Sequence, residues 1–145
     1  MSYKGYFKPR NPNKYKGDPT NIIYRSGWEA KFMSYLDSHP DVLEWSSEEI
    51  AIPYLSPIDG KYHRYFPDFV VKRKDRSGKI ETLMVEIKPK KQTVPPTKKK
   101  RITKRYILEV QTWGINSSKW EAAEKYCKAR NWKFMKLTED ELNIR

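Results

Sequence analysis

From Ser26 onward, Trp28, Phe32, Tyr35 and Leu36 recur at the spacing of one helix face. Ser26 is placed to cap the start, and Ser38-His39-Pro40-Asp41 ends the pattern. The chain then turns to extended character. Val42 to Tyr54 contains a strand, clearest at Glu49-Ile50-Ala51-Ile52, and Ser56-Pro57-Ile58-Asp59-Gly60 is turn chemistry. Tyr62 to Lys72 and Lys79 to Lys88 are two further extended runs. Arg76-Ser77-Gly78 between them predicts a three-residue hairpin loop, with Gly78 at the left-handed position. Helical spacing returns at Ile102, Tyr106, Val110 and Trp113, with Gly114 as the expected stop. A second helix is expected from Asn116 or Ser117 to about Arg130, with Trp120, Ala123 and Cys127 on one side. Trp132 to Leu137 reads as a last strand, and Thr138 followed by Glu141 is a capping-box pattern. The predicted order is helix, three strands, one or two helices, strand. That is an α/β arrangement with a small mixed sheet covered by helices.

Two segments fall outside the periodic pattern. Residues 1–21 read as an irregular basic N-terminal arm, with Lys4, Lys8, Arg10, Lys14 and Lys16 among Pro and Gly. Residues 22–145 form the single expected domain, since 145 residues suit one core and not two. Between Lys88 and Arg105 there are nine basic residues, three prolines and no acid, so a basic loop is expected over 89–101.

Charge changes the picture more than length does. Lys and Arg total 30 against 18 Asp and Glu, a formal net charge of +12. Like charges repel in the compact state, so such an excess points to a polyanionic partner, with nucleic acid first. A structural nucleic-acid protein or an anionic membrane surface fits the same number, so charge gives a partner class and no chemistry. Cys127 is the only cysteine, which excludes an intramolecular disulfide, and its place on an apolar helix side reads as core. No apolar run approaches a membrane span, and the basic start lacks the apolar core of a secretory signal. No Cys and His pair has zinc spacing, and no Gly-rich phosphate loop is present.

The chemistry concentrates on the central hairpin. With the loop at Arg76-Ser77-Gly78, Asp68 falls opposite Glu86. Alternation puts Met84, Glu86 and Lys88 on one face. Opposed carboxylates destabilise a sheet unless something neutralises them. Lys88 does part of this, and a hard divalent cation does it better. Such an ion polarises a phosphodiester and makes hydroxide available near neutral pH, with Lys88 orienting water or stabilising developing charge. Glu29 lies at the margin of the first helix's apolar stripe. It is either a partly exposed edge residue or a third carboxylate for the same patch.

Pro67-Asp68, then Glu86-Ile87-Lys88, with Glu29 on a preceding helix, resembles the PD-(D/E)xK nuclease superfamily. The resemblance implies a restriction-endonuclease-like core. It also implies that Asp68 and Glu86 bind Mg²⁺ (Mn²⁺ as a substitute), that the Ile87 carbonyl is a further ligand, and that Glu29, Asp68, Glu86 and Lys88 form the catalytic set. A decoy exists, since Pro40-Asp41 with Asp59-Gly60-Lys61 also satisfies the bare pattern, but Asp59-Gly60 is turn chemistry. A closer resemblance runs along nearly the whole chain. Asn21-Ile22-Ile23-Tyr24-Arg25-Ser26, Glu44-Trp45-Ser46-Ser47-Glu48-Glu49 and Thr112-Trp113-Gly114-Ile115-Asn116 look like the head completion nuclease family of T-even-type tailed bacteriophages. That implies action on filled heads after DNA packaging, in the host cytoplasm, with phage head or portal proteins as partners. More distantly, the chain resembles the endonuclease subunit of heteromeric transposases.

Arg25, Lys90, Lys91 and the run Lys98-Lys99-Lys100-Arg101 are the candidate DNA contacts. For the run, a solvated basic stretch is the plain alternative. His63 reads as an ordinary strand histidine. Two rival functions stay open at this point: a non-catalytic DNA-end or portal-binding protein of the filled head, and a branched-DNA resolvase.

Overall fold

Three runs in the middle of the chain and a later one at Lys133–Leu137 form a four-stranded mixed sheet in the computed structural model, which describes residues 4–143. The elements are β1 Gly5–Phe7, β2 Ile22–Tyr24, α1 Gly27–Ser38, β3 Val42–Ser47, β4 Ile52–Leu55 and β5 Tyr62–Tyr65. They continue with β6 Phe69–Lys74, β7 Ile80–Ile87, α2 Lys104–Ala129, β8 Lys133–Leu137 and α3 Glu139–Leu142. The main sheet has the order β3-β6-β7-β8, while β1-β2 and β4-β5 are separate hairpin-like pairs. β7 and β8 run parallel, and the other main-sheet neighbours are antiparallel. The α/β class with a small mixed sheet is therefore as expected. None of the described helices is long and apolar enough to cross a membrane.

The β6-β7 hairpin sets the register of everything near the site. Asp75 N–H bonds to the Lys79 carbonyl at 2.8 Å, and Gly78 closes the loop at φ +83°. A side chain at that φ would be strained, so glycine is required there. From this loop the ladder runs back to Phe69 opposite Val85, the register expected from the loop residues. Period-two alternation then sorts the two faces. Phe69, Val71, Leu83, Val85 and Ile87 join one core with Phe32, Met33 and Leu36 of α1. Met84 joins the other, with Trp120, Ala123 and Cys127 of α2 and Ile52, Tyr54 and Tyr65 of the β4-β5 hairpin. The sheet is thus a middle layer between two helices. Cys127 is buried against Met84, as its apolar position suggested.

Four readings need correction. The strand expected to be clearest at Glu49–Ile52 is two strands, β3 and β4, with a break between them. Glu48 takes a left-handed conformation at φ 53°, and its N–H bonds to the Asp68 carbonyl at 3.2 Å, so the chain leaves the sheet there. The run from Tyr62 to Lys72 is split in the same way, between β5 and β6, at Phe66-Pro67-Asp68. Pro67 has no N–H to give a ladder. Phe66, within this break, is 42 % exposed.

Gly114 does not stop a helix. α2 runs 26 residues through it, and an added Cβ would meet only Pro57 Cγ at 3.6 Å. Burial of Asn116, Trp120, Ala123 and Cys127 along the same helix carries it through one glycine, whose cost is about 1 kcal/mol.

The segment expected as an irregular basic arm also folds onto the domain. Tyr15 is buried edge-on against Trp45, with ring centroids 4.8 Å apart. Its hydroxyl accepts from Ser47 N–H at 3.2 Å and donates to Glu49 Oε2 at 2.8 Å. Asp37 on α1, itself buried, accepts from Arg10 N–H at 2.8 Å and Asn11 N–H at 3.0 Å. These contacts are single anchors without periodicity, so alternation in the sequence could not signal them.

Gly114→Ala should raise stability by about 0.5–1 kcal/mol in urea denaturation, because a helical interior glycine with room for a methyl gains helix propensity. A loss of stability instead would mean that the helix breaks at this residue.

Candidate active site

Asp68 leaves the end of β6 just before the ladder begins, and Glu86 sits near the end of β7. Asp68 Oδ2 accepts from Ile87 N–H at 2.8 Å, so the carboxylate caps the neighbouring strand instead of pairing across it. Glu86 is buried and receives two donors. The Tyr65 hydroxyl bonds to Oε1, and Lys88 Nζ lies 3.4 Å from Oε2. Lys88 is itself held in place by its N–H bond to the Leu137 carbonyl at 3.0 Å. Asp68, Glu86 and Lys88 are thus brought together at the ends of two adjacent strands.

Glu29 approaches from the start of α1. Its N–H bonds to Ser26 Oγ at 3.2 Å, and its Oε1 accepts from Arg25 N–H at 3.1 Å. The carboxylate therefore serves the helix cap. It also lies within the electrostatic reach of Glu86 and Glu48. Burial raises the Glu29 pKa, the Arg25 N–H bond opposes that, and the two acids add to the rise. Asp68 is pushed well above the ordinary carboxylate range, first by burial and then by the charge of Glu86. The Ile87 N–H bond and Lys88 oppose this only in part. The cluster resists full ionisation as it stands.

Among the described residues, no three Asp, Glu, His or Cys side chains converge into a metal cage. Two carboxylates with hard oxygen donors are what the geometry provides.

The expected DNA contacts divide. Arg25 is exposed at the site's edge, with Nε 3.0 Å from Glu48 Oε2, and the charge of Asp68 also reaches it. Lys90 is engaged with α3. Its N–H bonds to Glu139 Oε1 at 2.7 Å and its Nζ lies 3.1 Å from Asp140 Oδ2. Lys91 and the run Lys98 to Arg101 are exposed on the loop before α2. His63 bonds to Asp59 at 2.8 Å on the β4-β5 hairpin, in keeping with an ordinary strand histidine. Asp59 Oδ1 accepts from Lys61 N–H at 2.9 Å, so the decoy motif is indeed turn chemistry.

Three residues near the centre had no sequence signal: Tyr65 on Glu86, Glu48 on Arg25, and Lys119 of α2. Lys119 is half-buried, and the charges of Lys88, Glu86 and Asp68 all reach it. Each comes from an element whose approach depends on tertiary packing.

A family model described as TnsA-like endonuclease N terminal matches residues 39–139. The chain belongs to the TnsA-like endonuclease family. The matched span of this TnsA-like chain holds Asp68, Glu86 and Lys88 but not Arg25 or Glu29. A curated relative, the head completion nuclease of Enterobacteria phage T4, is 44 % identical over 146 residues. That alignment covers 98 % of this chain and 95 % of the phage T4 protein. The nuclease character expected from the hairpin motif and the whole-chain resemblance thus agree with both comparisons.

A carboxyl whose pKa is higher in the folded state binds protons more tightly there than in the unfolded chain. For Asp68 this stabilises the fold fully below the ordinary carboxylate value, and the contribution is lost as pH rises through the raised value. At neutral pH and without divalent ions, Asp68→Asn should therefore raise Tm by at least about 2 °C. The gain should shrink as pH falls toward 4 (about the unperturbed value). An Asp68→Asn protein no more stable than wild type at pH 7.5 would show that the carboxylate is not repelled.

Proposed function

We propose that this TnsA-like chain is a Mg²⁺-dependent DNA endonuclease that acts in phage head completion, after DNA packaging. The observation that carries the chemistry is the junction of Asp68, Glu86 and Lys88 at two strand ends, with Asp68 capped by Ile87 N–H and Glu86 held by Tyr65 and Lys88. The role in head completion rests on the likeness to the phage T4 protein. The β-sheet order, with α1 on one face and α2 on the other, supports a restriction-endonuclease-like core. Partners on this reading are DNA and phage head or portal proteins, met in the host cell during head assembly.

The donor set fits a hard cation. Asp68 and Glu86 offer only oxygen, and the Ile87 carbonyl is a third candidate donor on the same strand end. Mg²⁺ usually takes one or two carboxylates and fills its remaining positions with water and substrate phosphate. Two acids without a complete cage suit that habit. When bound, the ion polarises the phosphodiester and lowers the pKa of water near it.

The chain's own residues then do the positioning. Tyr65 fixes the Glu86 carboxylate through Oε1, leaving Oε2 toward Lys88. Lys88 Nζ, half-buried, orients the attacking water and stabilises charge that develops on the phosphate. Glu29 keeps its place through Ser26 and Arg25, and its charge helps to retain the cation. Lys91 and Lys98 to Arg101 grip the backbone as point charges, which gives affinity and not sequence choice. Lys90 joins them only by giving up Asp140.

Purified protein should cut linear or supercoiled DNA with Mg²⁺ and not with EDTA. Asp68→Ala, Glu86→Ala and Lys88→Ala should each abolish cutting while DNA binding persists. Cutting by any of these variants would remove that residue from the centre. Mg²⁺ should also raise the Tm of wild type, and by less in Asp68→Asn.

Changing Lys98, Lys99, Lys100 and Arg101 together to Ala should weaken DNA binding and flatten its dependence on salt. Each lost phosphate contact removes about 0.9 from the log–log slope. An unaltered slope would take this run out of the DNA interface.

A further inference from the structure

Of the cations around the proposed centre, three have an acid partner, while Lys119 and Lys136, the β8 residue registered with Glu86, have no ion pair among the described residues. Lys88 pairs with Glu86, Arg25 with Glu48, and Lys90 with Asp140. Lys119 nevertheless sits half out of water on α2, next to the core residue Trp120. A lysine placed so loses hydration without gaining a carboxylate, and that costs free energy in the absence of an anion.

Its surroundings show where such an anion would come. Lys119 Nζ lies 5.7 Å from the ring centroids of both Tyr54 and Tyr65. Tyr65 is the residue whose hydroxyl holds Glu86. One tyrosine therefore carries the Lys119 ammonium over its ring and the Glu86 carboxylate at its hydroxyl. Glu86 and Asp68 are near enough for their charges to act on Lys119, and Lys88 repels it. Burial is the largest influence and lowers the Lys119 pKa, with Lys88 second. The ammonium thus reaches the cluster over the ring of the tyrosine that holds Glu86, from the helix layer instead of the sheet.

We propose that Lys119 is a second phosphate-binding cation of the active site, contacting the scissile phosphodiester from the α2 side while Lys88 approaches from β7. This rests on the reading of Asp68, Glu86 and Lys88 as the nuclease centre. The two tyrosine faces hold the ammonium by cation–π attraction while the site is free of DNA. The phosphate oxygens supply the anion that the fold withholds. A fixed cation aimed at charge that grows during the reaction acts mainly on the rate, not on ground-state affinity.

The test compares wild type, Lys119→Met, Lys119→Gln and Lys119→Arg as full chains. Supercoiled plasmid is cut under single-turnover conditions across a Mg²⁺ titration. Folding is checked by circular dichroism and Tm, so that a poorly folded Met variant leaves Gln to carry the neutral case. The expected result is a loss of about 100-fold in the rate at saturating Mg²⁺ for the neutral variants. Plasmid affinity in EDTA should change by less than about threefold, and Arg should restore most of the rate. A lysine that merely balances the two acids would behave otherwise. Its removal would lower the Mg²⁺ needed for half-maximal rate and leave the saturating rate within about threefold of wild type, and that would overturn the proposal. Loss of cutting in Asp68→Ala, alongside full activity in the neutral Lys119 variants, would overturn this inference alone. Undiminished cutting in Asp68→Ala would overturn the centre on which it rests.

Discussion

Two carboxylates that repel each other are held side by side at the ends of adjacent strands, and the surrounding layers are arranged so that this can persist. Asp68 is restrained by a backbone N–H, and Glu86 by a tyrosine hydroxyl and an ammonium. None of these donors is free to move independently. Ile87 N–H is fixed by the pairing of β7 with β8, the Tyr65 hydroxyl by the β4-β5 hairpin, and Lys88 by the bond of its own N–H to β8. Burial makes the repulsion stronger, because there is less water to screen it. The site is thus a local cost in stability, supported by the apolar packing on both faces of the sheet. Such a cost is common where function requires like charges close together.

The two sheet faces do different work. The face toward α1 is almost wholly apolar, built from Trp45, Phe69, Val71, Leu83 and Val85 against Phe32, Met33 and Leu36. The face toward α2 begins apolar at Met84 and becomes ionic at Glu86 and Lys88. The change occurs within a few residues of one strand. β7 therefore links the core to the charged cluster directly, without a flexible connection. Breaks at Glu48 and at Phe66-Pro67-Asp68 serve the same end. They release the β4-β5 hairpin from the main sheet and allow Tyr65 to return above Glu86.

What the sequence disclosed follows from this division. The register of β6 and β7 was legible because turn chemistry at Arg76-Ser77-Gly78 and period-two alternation are both local. Asp68, Glu86 and Lys88 could be grouped for that reason, and Ser26 and Thr138 were legible as helix caps. Gly114 misled, because packing of Trp120, Ala123 and Cys127 into the core carries α2 across it, and that is tertiary. Tyr15 was hidden because it is one anchor in a segment without a repeat. Tyr65, Glu48 and Lys119 reach the centre from three separate elements, and their approach is decided by how layers stack. No spacing within one element encodes that. The decoy at Asp59-Gly60-Lys61 was separable from the hairpin pair by its turn residues alone.

The continuity of α2 through Gly114 makes that helix a ruler. Lys104, where the basic loop ends, and Lys119, within reach of the charges of Asp68 and Glu86, are separated by fifteen residues of unbroken helix. At about 1.5 Å per residue the axial distance is roughly 22 Å, and each residue added or removed would also rotate one end by about 100° relative to the other. A broken helix would let the loop end swing freely. An unbroken one fixes both the length and the phase between the loop and the carboxylate cluster, so a polyanion touching both must match one spacing and one direction of approach.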